Sequence, residues 1–547
     1  MKKVCVSIPL IISFLFACAQ KEKLPVIKSP TFKKDTVNIK KYGAVADGNT
    51  LNTKSINGAI DALNKKGGGV VLVPAGLWLT GPVVLKSNIN LHLASGATLL
   101  FTPDKNEYPL VEANWEGLPQ MRNQSPVSAT NATNIAITGK GIIDGNGDVW
   151  RAVKIDKLTE SQWKKKVASG GVLSDDKKTW YPSESFLKGS KMPANPGMIA
   201  ADRDAAFYQS IKDFLRPNLL LLTRCNTILL EGVTFQNSPA WCLHPLMCEN
   251  LTVRSVFVKN PWYAQNGDGI DAESCKNVLI ENSVFDVGDD ALCMKSGRDA
   301  EGRKRGMPIE NVIIRGCTVY AAHGGFVIGS EMSGGARNIW VSNCTFVGTD
   351  IGLRFKTTRG RGGVVENIFI KDIYMKDIPA EAILFDMYYM AKDPVVLAGE
   401  KRELPKVEFK TLDETTPVFK NFHISNVYCN GAEKGIFVRG LPEMHVKDIV
   451  LENMVLQANK GIDVQEATNI TFKNIKIISK ETDPVIDIVQ SDGLLFDNIS
   501  YKEGAELLFR VNGERTKNIS IKNTDASKAK EKITYELGAT EKSLTIK

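Results

Sequence analysis

The feature that most constrains this chain is a repeat. A polar turn, an asparagine, a short run of alternating apolarity, a second turn and a second strand-like run recur along most of its length. CNTILLEGVTFQNS begins at Cys225, CENLTVRSVFVKNP at Cys248, CKNVLIENSVFDVG at Cys275 and IENVIIRGCTVYAA at Ile309. ARNIWVSNCTFVGT begins at Ala336 and VENIFIKDIYMKDI at Val365, and later copies start near Phe419, Val446, Ala467, Gly493 and Thr516. The usual spacing is about 21 to 29 residues, in the range of stacked solenoid units. One such unit cannot bury its own apolar face. Stacked copies can, and strands of successive coils then pair in parallel. The period is too long for hexapeptide coils and lacks a leucine-rich pattern. It predicts an all-β chain folded as a right-handed parallel β-helix, with about three or four short strands per coil. The recurrent asparagine is placed to ladder from turn to turn, each amide satisfying the next.

A coil stack ends in an exposed sheet edge and needs a cap. NTKSINGAIDALNKKGGG supplies a helix there, with Ile56, Ile60 and Leu63 on one face. Asn52 or Thr53 is placed to cap its start, and Gly67 to Gly69 stop it. Residues 37–547 are then one β-helix domain, because repeated coils share a single core and length does not count domains. The rhythm breaks between Trp150 and Pro217, which reads as a long, partly helical loop insertion over one face. Functional loops on a rigid scaffold take this form.

The first residues, MKKVCVSIPLIISFLFACAQKEK, carry two lysines, an apolar run of about a dozen residues and a small-residue site, which reads as a secretory signal over 1–17. LFAC at Leu15 to Cys18 resembles a bacterial lipobox, which implies cleavage before Cys18 and lipid attachment to it, with 18–36 as a tether. The expected location is the outer membrane, periplasmic side, with the lipid as the sole membrane contact. Of ten cysteines, eight follow this leader without any C-x-x-C pair. Cys275, Cys293, Cys317 and Cys344 sit in or beside strand-like runs and read as buried small apolar residues. A net charge of +8 over 547 residues is too mild for a nucleic-acid surface and is compatible with a polyanionic substrate.

Gln265 to Gly297 packs five aspartates, Asp268, Asp271, Asp286, Asp289 and Asp290, between glycines and short apolar runs. Asp268 and Asp289 are about one coil apart, so they are expected on neighbouring rungs, about 4.8 Å apart along the axis. His323 follows one coil and a loop later, and Arg354 and Lys356 one coil after that. As i and i+2 on a strand, the two cations share a face. Four rungs would thus present Asp, Asp-Asp, His, then Arg and Lys, in a column roughly 15 Å tall, the size of two or three sugar rings. Asp271 and Asp286 read as structural, bonding turn amides or facing solvent. His92 alternates out of the core. Trp115, Trp150 and Trp180 either stack on sugar faces or pack in loops.

The ordered set NGD at Asn266–Asp268, GDD at Gly288–Asp290, HGG at His323–Gly325 and RFK at Arg354–Lys356 resembles the signature of glycoside hydrolase family 28, the polygalacturonases. The likeness runs from YGAVADG at Tyr42 onward, and KSGRDAEGRKRG and GLRFKTTRGRGGVVENI resemble its bacterial, exo-acting branch. Gly267 and Ala322 depart from the family's usual Thr and Gly. The resemblance implies inverting hydrolysis of α-1,4-galacturonosyl linkages in pectin or oligogalacturonides; a monomer without metal or cofactor is the expectation beside it. It assigns Asp289 as the acid, Asp268 and Asp290 to a water, His323 to tuning the acid, and Asn266, Arg354 and Lys356 to substrate. Arg298 and Arg303 are candidate clamps, and FDMYY offers Tyr388 to the reactive subsite. An inverting pair is expected roughly 6.5–9.5 Å apart, and crowding is expected to raise one carboxyl pKa. Rhamnogalacturonan as substrate, a calcium-dependent pectate lyase using the same aspartates, and a non-catalytic polysaccharide-binding β-helix remain alternatives.

Overall fold

A computed structural model of the chain describes residues 24–193, 195–389 and 408–547. Cys18 and the leader lie outside the described residues. Thirty-five strands join through parallel pairings into one continuous wound set, a right-handed parallel β-helix. Three strands make each coil. One complete rung is Leu243–Leu246, Glu249–Arg254 and Phe257–Lys259, followed by Ile270–Glu273, Lys276–Glu281 and Val284–Asp286 on the next. Register is kept along each face: Leu251 pairs Val278, which pairs Val312, which pairs Ile339. Inward positions alternate along these strands, so the apolar residues of all coils form one core that runs the length of the stack. Phe355, Phe385 and Phe422 pack ring on ring within it at 4.5–5.0 Å.

The asparagine ladder forms at the turns. Asn311 donates to Asn277, Asn338 to Asn311, Asn367 to Asn338 and Asn421 to Asn367, at 2.6–3.3 Å. Each of these residues holds a positive φ near 57°, a conformation asparagine tolerates better than most side chains. A second ladder pairs Asn474 with Asn453 and Asn498 with Asn474.

The capping helix Thr53–Lys65 buries Ile56, Ala59, Ile60 and Leu63 over the first coils. Asn52 precedes it but does not cap it. Its amide is spent holding the Val45, Thr50 and Leu79 backbone instead. The expected tether also differs from a free linker. Lys28 and Thr31 dock on the turn residues Asn250 and Asn134.

The insertion holds helices Glu160–Ala168, Glu184–Ser190 and Ala205–Ser210 with a small antiparallel sheet of Val153–Lys154, Thr179–Tyr181 and Val172–Leu173. Against it lies a hairpin, Leu110–Trp115 with Leu118–Asn123, which the alternation did not reveal. Its two-residue loop is Glu116–Gly117, both at positive φ, as a tight right-twisted hairpin requires. Hairpin and insertion are tied by Met121 N–H donating to the Gly197 carbonyl.

Asn367→Ala removes one amide donated to and one accepted from the ladder and leaves alanine at a positive φ. We expect a loss of about 2–3 kcal/mol in urea unfolding, with Asn367→Gly recovering the backbone part alone. A glycine variant as stable as the wild type would show that the ladder itself contributes little.

Candidate active site

The candidate site is built on strands Ile270–Glu273, Asp290–Lys295, Gly324–Ile328 and Leu353–Lys356, four consecutive rungs. The loop before the first of them is fixed from below. Asn260 donates its amide to the Gly267 carbonyl at 3.1 Å, and Arg216 donates to the Gln265 carbonyl and to the Asn266 side-chain oxygen at 3.0 and 2.9 Å. A Cβ on Gly267 would come within 2.7 Å of Ala264, so threonine has no room in this loop as it stands.

Asp268 and Asp289 lie on neighbouring rungs, and register sets their phase. Asp271 lies opposite Cys293, and the Gly269 N–H donates to the Asp290 carbonyl. Asp268 is therefore opposite Asp290, and Asp289 sits one residue before it at the mouth. One oxygen from each of Asp268, Asp289 and Asp290 lies within 4.8 Å of the others. That is closer than the roughly 6.5–9.5 Å expected of an inverting pair. The cause is the stack itself, since carboxylates on adjacent rungs inherit the strand spacing.

Their environments divide them. Asp290 is buried and accepts from Lys356 at 2.7 Å and from Arg354 at 3.1 Å. Burial alone would raise its pKa, but Lys356 and Arg354 outweigh it and hold the carboxyl well below its usual range. Gly324 makes this possible, for a methyl there would sit 3.3 Å from both Arg354 Cδ and Asp290 Oδ1. Asp268 is equally buried and faces other carboxylates. Burial, then Asp271 and Asp289, push its pKa well up. The rise expected from crowding thus falls on Asp268. Asp289 is part-exposed and lies 3.1 Å from His323 Nδ1. His323 is half-exposed, and its bond to Asp289 raises its pKa against the opposing effect of burial, with Asp290 and Asp350 adding to the rise.

A second layer of charge lies beneath. Lys295 is buried, 2.7 Å from Glu331 and 3.6 Å from Asp271. Glu331 also faces Arg361 at 3.6 Å, and its pKa is held at about 2 because Lys295 and Arg361 outweigh burial. Asp271 is neither a turn residue nor solvated, as had been expected. It is fully buried, no hydrogen bond reaches its oxygens, and burial raises its pKa well above the usual range. Beside it His244 donates or accepts at 2.9 Å with Asn218 and 3.0 Å with Glu273, a buried chain that ends on Arg305.

Other expectations change. Tyr388 packs on the core with Arg359 and Arg439 over its ring, so it turns from the site. Tyr389 faces it instead, its ring 4.9 Å from Lys356 Nζ and 5.8 Å from Arg354. Run-on aromatics in FDMYY give no phase, so only the fold chooses between them. Arg303 donates to the Gly360 and Arg361 carbonyls and serves as a loop tie. Arg298 pairs with Glu116 and Asp299 at 3.4 Å, at the hairpin edge of the cleft. Trp150 is fully buried against Tyr108, and Trp180 packs under Lys166. Trp115 stacks on Trp241 and lines a cavity of 430 Å³. Asp286 and His92 lie outside the cluster, His92 against the Thr138 hydroxyl on the outward face. The eight cysteines among the described residues are buried thiols. Arg122 and Arg216 were missed. They carry no motif, and only the hairpin brings them to the cleft, where Arg122 lies 3.8 Å over Trp115 and donates to the Arg216 carbonyl.

Three carboxylates at this spacing also meet the donor geometry of a divalent cation. Two of them are poorly disposed to it: Asp290 already carries two ion pairs, and burial drives Asp268 toward its neutral form.

The chain is similar to known proteins in sequence and in fold. Residues 208–425 match the profile described as Glycosyl hydrolases family 28. The chain is 30% identical over 457 residues to the exo-poly-alpha-D-galacturonosidase of Dickeya chrysanthemi, covering 80% of this chain and 71% of the relative. It is 30% identical over 345 residues to a probable polygalacturonase of Vitis vinifera, covering 61% of this chain and 60% of that protein's length. The solved structure of a hyperthermoactive exopolygalacturonase from Thermotoga maritima superposes with a TM-score of 0.62 at 30% identity, covering 87% of this chain and 94% of that one.

The two buried aspartates predict stability effects of opposite sign. Asp268, with its raised pKa, stabilises the fold only while protonated, and that contribution is lost as pH rises through its folded pKa. Asp268→Asn is therefore expected to gain about 1–3 kcal/mol at pH 7, the gain vanishing below the usual aspartate pKa of about 4. Asp290, with its lowered pKa, stabilises above the unfolded value and loses this as pH falls through the folded one. Asp290→Asn is expected to lose about 3–5 kcal/mol at pH 7, because Lys356 and Arg354 are left buried together. Urea midpoints across pH 3 to 8 check both, and a shared sign would refute the division.

Proposed function

The chain belongs to glycoside hydrolase family 28, and from that premise we propose that it hydrolyses α-1,4-galacturonosyl linkages of pectin from a chain end, with inversion. The observation that carries the reading is the carboxylate trio with one ionised, one buried and one accessible member, set beside a cavity walled at its far side.

Asp289, at the mouth beside His323, is the acid that protonates the leaving oxygen. His323, 3.1 Å from Asp289 through Nδ1, orients it. Asp268 and Asp290 hold the attacking water. One water donating two hydrogen bonds of about 2.8 Å spans acceptors roughly 4.5 Å apart, which suits oxygens no more than 4.8 Å apart. Asp290, kept anionic, takes the water's proton as its oxygen bonds to the anomeric carbon and the glycosidic bond breaks. Arg354 links this step to substrate. A uronate carboxylate beside Tyr389 competes for the guanidinium, and its withdrawal from Asp290 makes that carboxylate a stronger base.

The exo reading rests on the cavity of 430 Å³ next to Asn266. The hairpin contributes Trp115 and Arg122 to it, and the insertion Tyr181, Phe186 and Pro196. Those two segments are hydrogen-bonded to each other, and we read them as the wall that closes this end of the cleft. Burial lowers the Arg216 pKa to about 10 and holds the Arg122 guanidinium well below its usual range. Two guanidiniums crowded beside one part-paired Glu116 favour an incoming carboxylate. On the residues of its leader, we also read the protein as an exported monomer anchored through Cys18 on the periplasmic side of the outer membrane.

The test is purified protein on polygalacturonate with chelator present. We expect free galacturonic acid from the earliest times, slow loss of viscosity, no absorbance from unsaturated ends, and a product anomer inverted relative to substrate by proton NMR. Asp289→Asn is expected to lower kcat by at least 10²-fold. Unsaturated ends that vanish with chelator would establish the lyase instead, and activity confined to rhamnogalacturonan would move the substrate.

A further inference from the structure

A second cavity, of 720 Å³, opens on the Asp289 side of the catalytic carboxylates. Its lining joins Asp289, His323 and Asp350 to Trp262, Lys154 and Lys157. Trp262 is 58% exposed, among the most exposed large apolar side chains described. The tryptophans on nearby segments, Trp150 and Trp241, are buried. Lys157 Nζ stands 4.7 Å from its ring centre, and Tyr263 meets it edge-on at 5.8 Å. The parts come from different segments. Trp262 lies on the coil turn that leads into Asn266, while Lys154 and Lys157 come from the insertion. Lys154 lies in a strand paired with Thr179, and Lys157 ends the short turn Ile155–Lys157, whose first N–H is tied to the Lys178 carbonyl. The insertion therefore walls one cavity and supplies cations to the other. Ala152, Lys154 and Gln265 line both, so the two cavities adjoin.

An exposed indole with an ammonium at its face is poor packing but a good sugar platform. The ring stacks on the C–H face of a pyranose, and lysines beside it pair with a uronate carboxylate. We propose that Trp262, Lys157 and Lys154 form a binding subsite for a uronic-acid unit on the leaving-group side, one ring beyond the sugar that carries the scissile oxygen. This rests on the hydrolase reading above, because that reading makes Asp289 the leaving-group side. It gives the chain-end enzyme a preference for oligouronates of three or more units.

The experiment compares kcat/KM on di-, tri- and tetragalacturonate. For Trp262→Ala, the ratio of tetramer to dimer is expected to fall about tenfold, mainly through KM. Trp262→Phe should recover part of it, which a merely structural role would not produce. Lys157→Ala should lower the same ratio less, and its effect should fade with added salt. Loss spread equally over dimer and tetramer, or loss in kcat alone, would overturn the subsite. A tryptophan effect without any lysine or salt dependence would overturn its uronate specificity. Tetragalacturonate binding to Asp289→Asn, with and without Trp262→Ala, is read by calorimetry. A drop in affinity there, in protein that turns nothing over, would keep the subsite even if the hydrolase reading failed. No change would sink the subsite while leaving hydrolysis untouched.

Discussion

Everything here hangs on the in-register parallel ladder. Each coil rises by one strand spacing, about 4.8 Å, so residues a full repeat apart in sequence become nearest neighbours in space. That spacing brings three carboxylates together and sets how far apart they stand. It also fixes which carboxylate meets which cation. A slip of one residue would turn Arg354 and Lys356 from the outward face to the core. The ladder resists such slips at two levels. The inward residues form one continuous core, and the turn asparagines count the coils from outside.

Crowding charge on such a face is costly, and the fold offsets it unevenly. Asp290 receives two cations, Lys295 receives Glu331, and Asp268 and Asp271 are left largely to burial. Unequal solvation gives chemically identical side chains different tasks. In the proposed reaction the ionised one takes the water's proton, the buried one helps hold that water, and the accessible one protonates the leaving oxygen. Lys295 and Glu331 form a neutral base for this layer, so the face does not carry an unpaired field into its core.

The coils supply position, and the loops supply selection. The hairpin and the insertion together enclose the Asn266 side and shape the Asp289 side. Neither makes ladder contacts in the main sheet set, so their shapes can vary without disturbing the register of the catalytic rungs.

The repeat was legible because its period and its asparagines are local patterns that only stacking can satisfy. The motif residues Asp268, Asp289, Asp290, His323, Arg354 and Lys356 were legible for the same reason, since their spacing follows the coil length. What sequence left open was phase and burial. Counting 21 residues put Asp268 and Asp289 on neighbouring rungs, but only the register, Ile270 opposite Leu292, shows that Asp290 is the one directly across from Asp268. Tyr388 and Tyr389 differ by one position, and only the course of the chain past Asp386 decides which ring meets Lys356. Arg122, Arg216, Trp262 and Lys157 carry no motif at all. Their place in the cleft follows from how a hairpin and an insertion fold back over coils distant in sequence, and that is information the tertiary structure alone holds.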